Sequence, residues 1–136
     1  MKKLTVEADI NRLDEVLSFV DALLEQAECP PKIQMQIDIA VEEIFVNIAH
    51  YAYAGDVGEA VITADVTGDP ACAVIGFADS GSRFDPLARP DPDITLSADE
   101  RQIGGLGIFM VKKSMDEVAY RYENGQNILT IRKVLR

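Results

Sequence analysis

The sequence predicts an α+β domain: a two-layer α/β sandwich whose mixed, mostly antiparallel sheet carries its helices on one face. Three observations predict it. Two long segments with apolar residues at helical spacing come early, before any paired strands. Two later pairs of short strand-like segments are each joined by turn-forming residues, Gly68-Asp69-Pro70-Ala71 in one case and Asn124-Gly125 in the other. The full order is strand, two helices, two strands, loop, helix, two strands. Hairpin-joined strands lie antiparallel, and helices with one apolar stripe must bury it on a sheet.

Each element has its own signal. Lys2–Ala8 alternates, with Leu4, Val6 and Ala8 on one side, and reads as a strand. Asp9 or Asn11 is placed to cap the first helix. That helix carries Leu13, Val16, Leu17, Val20, Leu24 and Ala27 as its stripe. Pro30-Pro31 ends it and opens the next. The second helix aligns Ile33, Ile37, Val41, Ile44 and Ile48, and Glu43 and Asn47 lie beside this stripe. Gly55 to Gly58 breaks the pattern. Ala60–Val66 and Cys72–Ala78 read as strands, residues 79–107 as a long irregular stretch, and Leu106–Ser114 as a short helix. Glu117–Glu123 and Asn127–Lys133 complete the sheet.

At 136 residues, 48% hydrophobic and 26% charged, the chain is expected to form one domain over 1–136. A net charge of −10 argues against nucleic acid as a partner. No apolar run approaches the roughly 20 residues of a membrane helix, and the N-terminus lacks the apolar core of a signal peptide, so a cytoplasmic location is expected. Cys29 and Cys72 lie far apart with no metal or redox spacing, and are expected to be reduced packing residues.

Three short motifs carry chemistry. In Glu43-x-x-x-Asn47 an acid and an amide share one helical face, which suits a general base beside a hard-cation ligand. Glu42 points about 100° away and is expected to be inert. Asp79-Ser80-Gly81-Ser82-Arg83-Phe84-Asp85-Pro86 follows a strand, so the Asp79 carboxylate would look into a cleft beside the sheet; the same residues also suit an Asx turn. Gly104-Gly105-Leu106-Gly107 opens a helix, where free backbone N–H groups and the positive helix end favour phosphate; a hinge without a ligand has the same composition. The GxxxxGK[ST] loop is absent, and no lysine stands at the phosphate position. His50, the only histidine, has no second ligand or acid partner near it in sequence and reads as structural.

In this order the motifs resemble the three nucleotide-binding boxes of the Bergerat-fold ATPases (the GHKL group), which includes gyrase and the histidine kinases. They are most similar to the RsbW-type anti-sigma-factor serine kinases. The resemblance runs through Glu43-x-x-x-Asn47-x-x-x-x-Ala52-Tyr53, Asp79-x-Gly81-x-x-Phe84-Asp85-Pro86, Gly105-x-Gly107 and Met115-Asp116-Glu117-Val118, within residues 4–134. It implies that Glu43 is the general base and that Asn47 holds Mg²⁺. It also implies that Asp79 accepts the adenine amine, with Gly81, Phe84 and Thr130 around the base. Gly105, Leu106 and Gly107 would then bind phosphate, and residues 87–103 would form a lid. Arg83 departs from the glycine common in the family at that position.

The function the resemblance implies is an ATP-Mg-dependent serine/threonine protein kinase that also acts as an anti-sigma switch. Its partners would be an anti-anti-sigma protein with a STAS domain and a sigma factor or analogous target, and the protein would form a homodimer. A binding protein that senses ATP and ADP without kinase activity would use the same boxes. The catalytic domain of a histidine kinase is a third reading, disfavoured because the chain leaves no room for a phospho-accepting helical hairpin.

Overall fold

The computed structural model describes residues 1–53, 56–88 and 105–136. The chain forms β1 (Lys2–Glu7), α1 (Leu13–Gln26), α2 (Pro31–Asn47), β2 (Glu59–Thr67), β3 (Cys72–Asp79), α3 (Gly105–Ser114), β4 (Glu117–Glu123) and β5 (Gln126–Val134). The sheet order is β1-β2-β3-β5-β4. All four pairings are antiparallel, so the parallel component allowed by the sequence reading is not present among these strands. No helix among the described residues is long and apolar enough to cross a membrane. The expected lid, 87–103, falls almost wholly outside the described residues; its first residues belong to a 3₁₀ turn, Pro86–Ala88.

Local chemistry explains the boundaries. Asp9 accepts a hydrogen bond from the Asn11 backbone N–H at 2.9 Å and starts the turn that leads into α1. Pro31 sits in the first turn of α2, where its missing N–H costs nothing. At the β4–β5 hairpin, Asn124 and Gly125 both adopt positive φ, 55° and 78°, which matches the twist of the flanking strands. The segment between α3 and β4 is also explained. Met115 is buried, Asp116 Oδ2 accepts from the Val134 N–H at 2.7 Å, and Glu117 lies 3.6 Å from Arg132.

The core lies between the helices and one face of the sheet. Val16, Val20 and Leu24 of α1 and Ile37, Val41, Ile44 and Phe45 of α2 pack with Ile62, Ile75, Phe77 and Ile131 from the strands. Strand alternation sends Thr63, Gly76 and Thr130 to the opposite face, where a side chain added at Gly76 would strike the Thr63 hydroxyl.

Past Asn47, α2 widens into a π-helical turn, Ile48–Ala52. The helix, whose apolar stripe the sequence carries to Ile48, therefore changes pitch at this point. The turn is tied to the sheet at its end. The Tyr53 hydroxyl donates to the Glu59 carbonyl at 2.5 Å and accepts from the Ser80 N–H at 2.9 Å, while the Ser82 N–H donates to the Ala52 carbonyl at 2.9 Å.

One polar group between α1 and α2 has an unusual setting. Asp38 Oδ1 is buried without a hydrogen-bond partner. Burial first, then the neighbouring Asp21 and Glu25 carboxylates, pushes the Asp38 pKa up to about 7. Cys29 nearby is free, and burial, followed by the Asp38 charge, raises its thiol pKa, which keeps it protonated and inert.

Two predictions follow from these contacts. The folded state holds the Asp38 proton more tightly than the unfolded chain, whose carboxylate titrates near about 4. Stability therefore falls as pH rises from that value to about 7 and levels off above it. Because Asp38 is half-exposed, solvent reduces the effect: melting should occur about 2–5 °C higher near pH 5.5 than near pH 8, and Asp38→Asn should flatten the profile. Tyr53→Phe removes the bridging hydroxyl and should cost about 1 kcal/mol in urea unfolding, since it leaves two backbone groups to rebond with water.

Candidate functional site

A cleft of about 550 Å³ opens between the end of α2, the ends of β3 and β5, and the start of α3. Its volume and character suit a small-molecule site: apolar walls with a few convergent polar groups. Ile44, Ile48, Phe77, Ile108 and Leu129 form walls, and Asn47, Asp79, Ser82, Tyr120 and Asn127 supply the polar atoms.

Glu43 and Asn47 sit at the border of the α2 stripe, both half-buried, whereas Glu42 is exposed. The Asn47 Nδ2 donates to Glu43 Oε1 at 3.3 Å. This turns the amide nitrogen toward the acid and leaves the amide oxygen free to meet a ligand on its other side. A side chain at Gly107 would overlap the Glu43 carboxylate. Glycine at this point lets the first turn of α3 lie directly on Glu43, so the first and third motifs meet. The helix N-terminus carries partial positive charge and favours an anion beside it.

The second motif forms the other end of the cleft. Asp79 is buried at the last position of β3, opposite Asn127 of β5. Its Oδ1 accepts two hydrogen bonds at 3.0 Å, from the Gly81 N–H and from Asn127 Nδ2. The first closes the Asx turn anticipated from the sequence, and it coexists with a cleft-facing carboxylate. Asp38 Oδ1 is the single side-chain oxygen or nitrogen among the described residues that is both buried and unpartnered. Asp79 Oδ2, with no donor among the described residues, is therefore open to the cleft. Gly81 passes so close to the end of α2 that a Cβ would overlap the Ala52 carbonyl.

Asn127 was not anticipated. It is buried, and its amide uses its full hydrogen-bonding capacity. Besides Asp79, Nδ2 donates to the Ser82 carbonyl at 2.9 Å; Oδ1 accepts from the Phe84 N–H at 3.0 Å and from the Tyr120 hydroxyl at 2.6 Å. Burial raises the Tyr120 pKa, with the Arg83 charge opposing and the Asp85 and Asp79 charges adding to it, and the phenol stays a donor. The available signal was an asparagine inside a strand, where its propensity is low.

Thr130 is a correction. It lies three residues beyond Asn127 and pairs with Gly76, so the period of two places its hydroxyl on the face away from Asp79. Phe84 lines the cleft and is about half-exposed. Arg83 lines the rim with its guanidinium 5.0 Å from the Tyr122 ring centre, a cation–π contact rather than a free solvated charge. His50 is exposed and packs edge-on to Tyr51, with ring centres 6.0 Å apart. Gly105 begins α3, with Leu106 beside it in the first turn; Gly104 lies outside the described residues. No group of three or more His, Cys, Asp or Glu residues suited to a metal occurs among the described residues.

Comparisons with known proteins bear on the family and the fold. Serine-protein kinase RsbW of Bacillus cereus strain AH187 is 29% identical over 102 residues, which cover 72% of this chain and 62% of the relative. The same kinase from Listeria monocytogenes EGD-e is 29% identical over 98 residues, covering 68% and 61%. The chain thus spans about three fifths of the length of these curated relatives. Among solved structures, the RsbU and RsbW domains of a Mycobacterium tuberculosis protein superpose with a TM-score of 0.66 at 17% identity, covering 99% of this chain and 33% of that one. Acinetobacter baumannii histidine kinase AdeS gives 0.52 at 16% identity, covering 100% and 70%. These two likenesses concern the fold. A family model described as the histidine kinase-like ATPase domain matches residues 6–133, and the chain belongs to that family.

Proposed function

We propose that this chain is an ATP-dependent serine/threonine protein kinase that works as a regulatory switch on a sigma-factor pathway. The observation that carries the reading is convergence. Segments around Asn47, Asp79 and Ile108 line one cleft with an open carboxylate oxygen on Asp79, and Glu43, outside that lining, is bonded to Asn47 and lies under the first turn of α3.

Adenine presents an exocyclic amine that suits an acceptor such as Asp79 Oδ2, whereas guanine presents a carbonyl at that position. Gly81, Phe84 and the cleft walls would enclose the base. Backbone groups at Gly105, Leu106 and Gly107 would receive the phosphates. The donor set fits Mg²⁺, which favours oxygen ligands and keeps phosphate oxygens and waters around it. The free Asn47 oxygen would hold the ion, and bound Mg²⁺ would neutralise phosphate charge. Glu43 would accept the proton of an attacking hydroxyl, with the reaction depending chiefly on positioning.

The phosphoacceptor would be a serine or threonine on an anti-anti-sigma partner with a STAS domain. The kinase would alternate between that partner and a sigma factor, as a homodimer in the cytoplasm, with residues 87–103 responding to ATP or ADP. The RsbW relatives support the kinase class; the partners, the dimer and the lid are part of the proposal.

The test is incubation of pure protein with labelled ATP, Mg²⁺ and a candidate partner. Label should appear on a partner serine or threonine, stable to acid. Glu43→Ala should lower transfer by about 100-fold or more, while Glu42→Ala stays within about two-fold of wild type. Gly107→Ala should reduce turnover by about ten-fold or more, because its methyl displaces the Glu43 carboxylate. Nucleotide binding without transfer to any cognate partner would sink the kinase reading in favour of a nucleotide sensor.

A further inference from the structure

We propose that Asn127 is the positioning residue that sets purine selectivity, by holding Asp79 so that one carboxylate oxygen faces the cleft. This rests on the reading of Asp79 as the acceptor of the adenine amine.

A carboxylate at the end of a strand can rotate about its terminal torsion, which is broad and nearly two-fold. Selectivity for one purine requires that rotation to be stopped. Two donors stop it: the Gly81 N–H and Asn127 Nδ2, both on Oδ1 at 3.0 Å. The first is local to the turn. The second comes from a different strand, through a register that sets Asp79 and Asn127 opposite each other.

Asn127 can do this only if its own amide cannot flip. A flipped amide would set its oxygen against the Asp79 carboxylate and the Ser82 carbonyl, and its nitrogen against two donors. The Phe84 N–H and the Tyr120 hydroxyl therefore fix the amide from the Oδ1 side. The chain of orientation runs from the Tyr120 hydroxyl through the Asn127 amide to Asp79 Oδ1, and so to the free Oδ2. The same amide holds Ser82 and Phe84, so the loop that borders the base and the acid that reads it share one anchor.

A purely structural residue would lose stability and ATP affinity when replaced, with no change in which purine is preferred. A positioning residue would narrow the preference itself. The experiment is competition binding of ATP and GTP to the full chain, with melting temperatures recorded in parallel. Asn127→Asp keeps the shape but replaces the donor with an acceptor. It should weaken ATP binding by about ten-fold or more and GTP binding much less, so that the ATP-over-GTP ratio falls about ten-fold. Leu24→Ala, a core change in α1 remote from the cleft, should lower the melting temperature and keep the wild-type ratio.

If Asn127→Asp does not fold, Tyr120→Phe decides. Loss of the hydroxyl frees one side of the amide and should narrow the ratio by about two- to five-fold. An unchanged ratio in the folded Asn127→Asp protein, or in Tyr120→Phe where that variant decides, overturns the proposal. An equal narrowing in Leu24→Ala also overturns it. If wild type binds nucleotide with no preference for ATP, the adenine reading of Asp79 itself fails, and this inference with it.

Discussion

Tyr53 lies just past the π-helical turn that ends α2, and its hydroxyl bridges the start of β2 and the residue after β3. The neighbouring Ala52 carbonyl takes the Ser82 N–H. Together these bonds tie the end of a helix to the end of a strand, and Ala52 and Ser82, joined by the last of them, line the cleft. The close approach dictates residue type on both sides. A side chain at Gly58 would strike the Tyr53 ring, and one at Gly81 would strike the Ala52 carbonyl. The widened turn has a matching role: a helix continued at normal pitch would aim the Ala52 and Tyr53 groups elsewhere.

The rest of the site depends on α2 being immobile. Ile37, Val41, Ile44 and Phe45 are buried to 2% exposure or less, so the helix cannot rotate without exposing its stripe. Glu43 and Asn47 are carried at the edge of that stripe, where they are neither sealed in nor solvated. Glu42 shares the chemistry of Glu43 and lies on the exposed side. On the proposed reading, the difference in role between the two adjacent acids is a consequence of helix phase.

The fold was largely legible because its signals are local. The Asn124-Gly125 hairpin and the Pro31 start each depend on a few consecutive residues and stand where the sequence places them, whereas Asp9 caps a 3₁₀ turn, Ile10–Arg12, and α1 itself starts after Arg12 without a side-chain cap. The Glu43–Asn47 pairing was legible for the same reason. Thr130 and Asn127 show where local reading ends. Both occupy β5, and only register decides which of them faces Asp79. Register depends on pairings with β3 and β4, and a count wrong by one residue moves every side chain to the other face. Asn127 did leave a mark, a poor strand former inside a strand, but its four hydrogen bonds are made with β3, β4 and the loop that follows β3. Asp38 left less: an acid on a helix flank reads as surface until the neighbouring helix is in place.

Charge gives the last constraint. A chain of net charge −10 has no general attraction for a nucleotide, and distant charges are screened over about 8–10 Å in physiological salt. Attraction must therefore be built within the cleft. Arg83 is the only cation among the described lining residues, and it is held over Tyr122, beside the Asn127 and Tyr120 end. It is thus placed for a base rather than for phosphates. Lys112 and Lys113 stand in the last turn of α3, at the negative end of the helix, away from its start. On the proposed reading the phosphate end has no basic side chain among the described lining residues, and of the described groups the α3 N-terminus and a cation on Asn47 would neutralise it. Such a site would discriminate by the presence of the cation as well as by the base, which is the physical reason its nucleotide affinity should depend on Mg²⁺ far more than on surface charge.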